Sequence, residues 1–138
     1  MGMKRNRKRT LGMAMVEMIF VLPLLILLVF AIAEFGLMFS RWLTLSNAVR
    51  EGARAGVAWR GPSCDKTTVE DDVQKTAGAY ARSGGVPLLD TAFTVTGACV
   101  TGGSLEVSAS YTFQLNIPYG SLASVPLAYK SKMRNEGF

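Results

Sequence analysis

Three sets of residues carry the chemistry of this sequence: a glycine closing a basic leader, two carboxylates within an apolar run, and two cysteines beyond it. Gly12 follows Lys4, Arg5, Arg7, Lys8 and Arg9, and five residues later Glu17 stands at the entrance of the apolar run. Glycine has no side chain to obstruct close approach of a protease to the backbone. Hydrolysis between Gly12 and Met13 would leave a positive amine on Met13, one helical turn from Glu17. In a helical assembly that amine can pair with Glu17 of a neighbouring copy. A carboxylate is costly in lipid without such a partner, so the pairing would fix the register of assembly. Glu34 is a second charge at membrane depth, suited either to a basic group on a partner helix or to the outer headgroups. Cys64 and Cys99 are an even pair and read as one disulfide. On the chain-entropy model its closed loop contributes roughly 4 kcal/mol.

The elements that must position these groups start with one long helix. Met18 to Ser40 spans roughly 35 Å at about 1.5 Å per residue, enough to cross a bilayer, and no later stretch matches it. The helix is expected to run from Met13 to about Val57, with a kink at Pro23 and an end at Gly61-Pro62. Trp42 and Arg41 suit the outer membrane interface, and Gly36 with Ser40 is a small-xxx-small pair. Beyond them Arg50, Glu51 and Arg54 make a charged face, while Leu45, Ala48, Val49 and Ala53 are apolar positions available for packing. The basic leader is expected to stay in the cytoplasm and the rest to lie outside. A secretory signal peptide cut after Ala33, within Ala31-Ile32-Ala33, is the competing reading of this region. Against it stand an apolar core longer than usual, the carboxylate that opens it, and a helical pattern running through the cut. A plain signal anchor with Glu17 among headgroups is a third reading.

Charge sorts the function classes. Of fifteen basic residues five lie in the leader, and the other ten balance the ten acidic ones. The net charge of +5 is therefore a targeting feature and no signature of nucleic-acid binding. With no histidine, serine–histidine and cysteine–histidine catalysis are excluded. Neither a Gly-x-Ser-x-Gly elbow nor a phosphate loop is present, so no enzyme is expected. The cysteine spacing without histidine argues against zinc. Glu70-Asp71-Asp72 reads as the acidic first turn of a helix, which meets the helix dipole favourably, so no metal or other cofactor is expected.

The exported part reads as α+β. A second helix is expected to open at Thr67 or Thr68, with Glu70 or Asp71 closing a capping box, and to stop at Ser83-Gly84-Gly85. Val69, Val73, Ala77 and Tyr80 would share its apolar face. Phe93 to Val100 is expected to be a strand with a bulge at Gly97, followed by a turn at Thr101-Gly102-Gly103-Ser104. Leu105 to Leu115 keeps strict period two, the clearest strand signal in the chain. Pro118 and Gly120 are expected to open a loop, with a third strand over Leu127–Met133. The expected division is a leader at 1–12, a long helix at 13–60 that is transmembrane over about 18–40, and an exported domain at 61–138, one helix on a short antiparallel sheet.

Gly12-Met13-Ala14-Met15-Val16-Glu17, Leu22-Pro23-Leu24-Leu25, Glu34-Phe35-Gly36 and Arg50-Glu51-Gly52-Ala53-Arg54 together resemble the TadE-like family. The resemblance covers about residues 10–57 and is weaker beyond, where Met133-Arg134-Asn135-Glu136 also fits. It implies a minor pilin, or pseudopilin, of the tight-adherence (Tad/Flp, type IVc) pilus in a bacterial inner membrane. Carried over by position, Gly12 and Met13 flank the cut of a prepilin peptidase and Glu17 is the assembly glutamate. Implied partners are other pilin subunits, that peptidase, the inner-membrane assembly platform and the lipid bilayer. The folded domain argues for a minor subunit, since the system's major pilin is little more than a helix. A permanently anchored accessory subunit is the alternative.

Overall fold

The computed structural model describes residues 7–58, 64–100, 102–117 and 120–135. Lys4, Arg5, Gly61-Pro62, Thr101, Pro118 and Glu136, each used in the sequence reading, lie outside the described residues. The chain divides into two units, Met1–Gly36 and Leu37–Phe138.

Helix α1 spans Arg7–Val57 and contains Pro23, through which it runs unbroken. In the first unit, side chains from Met13 to Gly36 are exposed apart from a half-buried Glu34. Apolar residues surround this stretch without a polar stripe. It is long and apolar enough to cross a membrane, and none of its residues is fully buried within the chain.

The second unit is helix-on-sheet. Helix α2 spans Lys66–Ser83 and buries Val69, Val73, Ala77, Gly78 and Ala81. Strands β1 (Thr94–Thr96), β2 (Ser104–Ile117) and β3 (Gly120–Arg134) form an antiparallel sheet in that order. A 3-10 turn at Asp90–Ala92 leads into β1. Along β2, Leu105, Val107, Ala109 and Phe113 are buried while Ser110, Thr112, Gln114 and Asn116 face solvent, so the helices cover one face of the sheet. The core joins these to Leu45, Ala48, Val49 and Ala53 of α1, Val86 and Phe93. These α1 residues lie at helical spacings of three and four, so one stripe of the helix meets the domain.

Four expectations are corrected by this arrangement. The cap of α2 is Asp65, whose carboxylate accepts hydrogen bonds from the Thr67 backbone N–H and both threonine hydroxyls. The threonines expected to cap are thus donors to an earlier cap, and the Thr68 and Thr67 bonds hold the Asp65 carboxyl below its ordinary value. Ala81, and not the exposed Tyr80, completes the apolar face of α2, because a fourfold step follows the stripe better than a threefold one. Strand β1 stops at Thr96: Gly97 has φ +78° and Cys99 φ +60°, so the chain leaves the sheet there and forms no bulge. Strand β3 begins at Gly120, well before Leu127, and includes Pro126. Proline is tolerated there because β3 is an edge strand and a missing N–H can face outward.

Candidate functional site: the apolar helix and its foot

Gly12, Met13, Glu17 and Glu34 all lie on α1. Met13 and Glu17 are four residues apart, about 6 Å along the helix axis. Glu34 follows Glu17 by roughly 26 Å at the same rise, and among the described residues neither carboxylate meets a basic side chain. Gly12 and Met13 are helical, Met13 being exposed. What this surface offers is a cylinder of Leu, Ile, Val, Phe and Met broken by two carboxylates. It suits lipid or neighbouring apolar helices, and no arrangement of nucleophile, base and oxyanion donors lies on it.

The foot of α1 is the Arg50–Arg54 motif, and its members split by role. A Cβ built on Gly52 would lie 2.9 Å from the Ala77 Cβ and 3.2 Å from the Val73 carbonyl oxygen. Gly52 therefore lets α2 approach α1 backbone to backbone. Gly56, one turn on, admits the side-chain tips of Val73 and Leu105, so α1, α2 and β2 meet there. Ala53 is fully buried between them. Arg50 donates from Nε to the Tyr129 hydroxyl at 2.9 Å, and its guanidinium lies 5.2 Å from that ring's centre. Glu51 and Arg54 make an exposed pair at 3.9 Å, of little energetic weight.

Arg41 repeats the Arg50 arrangement nine residues earlier. It donates to the Tyr111 hydroxyl at 3.0 Å and sits 5.1 Å from the Phe113 ring centre. Trp42 meets Tyr129 edge-on and stacks on Phe39. Two arginines and a tryptophan thus grip the β2–β3 hairpin against α1. Sequence reading assigned Arg41 and Trp42 to a membrane boundary and placed their aromatic partners Tyr111, Phe113 and Tyr129 only within strands. The apolar positions Leu45, Ala48, Val49 and Ala53 and the Gly52-x3-Gly56 spacing were the local signals that this face packs. The tyrosines are 70 and 79 residues away, beyond any periodicity.

Cys64 and Cys99 are joined, with Cα atoms 5.6 Å apart. Their loop is held by Asn135, a residue missed as a structural element: buried, it donates from Nδ2 to the carbonyls of Gly97 and Val100, both at 3.0 Å. The acidic cluster is taken up by helix pairs. Glu70 lies 3.6 Å from Lys66, and Asp71 bonds Lys75, raising the lysine above its ordinary value.

Residues 12–54 match the family model described as TadE-like protein. No curated protein and no solved structure matches the chain.

Proposed function

We propose, from a chain whose residues 12–54 are TadE-like, that this protein is a minor pilin of a Tad/Flp type IVc pilus, cut after Gly12 and assembled through the helix that begins at Met13. The match implies a Tad-pilus-associated protein, structural and not enzymatic, and the long apolar helix implies membrane anchoring. One coincidence carries the finer reading. The TadE-like segment starts at Gly12, where a basic leader ends, and the exposed apolar part of α1, with a carboxylate one turn in, follows at once.

In this reading the leader stays on the cytoplasmic side, held by its positive charge. A separate peptidase needs its substrate extended, and glycine costs a helix about 1 kcal/mol relative to alanine, so the chain opens most readily at Gly12. Hydrolysis gives the carboxylate to Gly12 and the ammonium to Met13. Glu17 then offers its carboxylate to the Met13 ammonium of the adjoining subunit, and the surrounding apolar side chains exclude water. Unpaired, Glu17 stays costly in lipid, so subunits one register off are disfavoured. Glu34 gives a second polar point on the same helix for a basic partner.

Glu17→Ala tests the reading. The variant is expected to insert in membranes at wild-type level but to be depleted from sheared pilus or from the assembly complex by at least about tenfold, the loss expected when a buried charge pair is broken. Wild-type incorporation of the variant would remove the register argument.

A further inference from the structure

We infer that the distal edge of β2, residues 109–117, receives an extended strand from a different polypeptide of the assembly, one that is uncharged and alternates apolar with polar residues. Strand β1 runs beside β2 only where Thr94–Thr96 face Glu106–Ser108. Beyond Ser108, β2 continues to Ile117 with β3 on its other side alone. Every second N–H and C=O of that stretch therefore points away from any strand of this chain.

The two free edges of the hairpin are built differently. The β3 edge carries Pro126, an extra residue at Leu122 where the register shifts, and exposed Lys130, Lys132 and Arg134. Proline, a bulge and lysine are the devices that keep strand edges from pairing. The β2 edge has none of them, and from Val107 to Tyr129 no residue is charged. Nothing on it repels a strand, and nothing on it rewards a charged one.

Face alternation states what fits. An incoming strand needs apolar side chains level with Tyr111, Phe113 and Leu115 and uncharged polar ones level with Thr112 and Gln114. A second copy of this chain fits in one way only. Its β3 brings the guards just described. Its β2 keeps apolar level with apolar only when paired antiparallel about a two-fold axis, whereas a strand from another protein can enter in either direction. Strand addition to an open edge by another protein meets both conditions.

The test uses the full chain in detergent micelles and, as probe, an end-capped peptide of about nine alternating threonine and valine residues, the length of the open edge. Amide hydrogen exchange is read residue by residue. Without peptide, alternate amides of 109–117 are expected to exchange freely; with it they are expected to slow saturably by about tenfold or more. Gln114→Lys, on the exposed face of that edge, is expected to abolish the slowing, while Lys132→Gln on β3 leaves it intact. Full protection in the free chain, or no effect of the peptide, would overturn the inference. Slowing that rises with protein concentration alone would assign the edge to a second copy, and slowing on transfer to a lipid nanodisc alone would assign it to the bilayer; either result also overturns it. None of these readings depends on cleavage at Gly12, so the two proposals fail separately.

Discussion

Replacing Gly52 with alanine sets two effects of opposite sign against each other. In the interior of α1, alanine is favoured over glycine by about 1 kcal/mol. The new methyl would sit 2.9 Å from the Ala77 Cβ, 3.2 Å from the Val73 carbonyl oxygen and 3.3 Å from the Val73 Cγ1. Carbon atoms rest about 3.5–4.0 Å apart, so the helices must part by roughly half an ångström or more. Two of the three neighbours are fixed to the backbone of α2, which rules out relief by a side-chain rotation. Overpacking of this kind costs about 1–3 kcal/mol and outweighs the propensity gain, leaving a net loss of about 1 kcal/mol. For a folded unit of this size that lowers Tm by about 4–8 °C. Circular dichroism of the full chain in detergent during heating measures it. Adding Ala77→Gly removes the nearest contact and is expected to restore part of the loss, a coupling independent mutations would not show. Gly36→Ala, where nothing lies within 4 Å, is the matched control and should show no loss. A Gly52→Ala protein as stable as wild type would refute the account of the motif as a helix–helix contact.

Two further outcomes follow from the second unit. Asn135→Ala removes the hydrogen bonds to the carbonyls of Gly97 and Val100, a cost of about 0.5–1.5 kcal/mol each that falls on the loop holding Cys99. Cys64 and Cys99 should then be reduced faster by dithiothreitol, read by alkylation and mass; equal rates would show that Asn135 does not hold the loop. Because the Asp65 carboxyl lies below its ordinary value of 3.8 in the folded chain, its stabilisation is present above that value and is lost as pH falls through the depressed one. Asp65→Asn keeps a capping oxygen without the titration, so the acid-side loss of stability should be smaller in the variant. A variant with the same acid-side loss would separate Asp65 from that loss.

Legibility in the sequence followed the range of the interactions. Period two from Leu105 to Leu115 and the Val69–Val73–Ala77 stripe are local, and the structure has a strand and a buried helix face there. The first turn of α2 was read one cap too late because two threonines and an aspartate compete for the same role, and the carboxylate is the stronger acceptor. Pro126 concealed the first half of β3, since only its place at a sheet edge makes proline tolerable. The grip of Arg41 and Arg50 on Tyr111, Phe113 and Tyr129 had no local trace. Arginine after an apolar run fits a membrane boundary equally well, and the deciding aromatics arrive only when the hairpin folds back. Gly52 lay inside a motif noticed for its resemblance, yet its reason is steric and became visible only with α2 beside it.

The intact mass of the protein extracted from membranes tests the central claim most directly. Loss of residues 1–12, leaving Met13 at the amino terminus, is the expected result. A chain beginning at Glu34, or one that retains its basic leader, would contradict it.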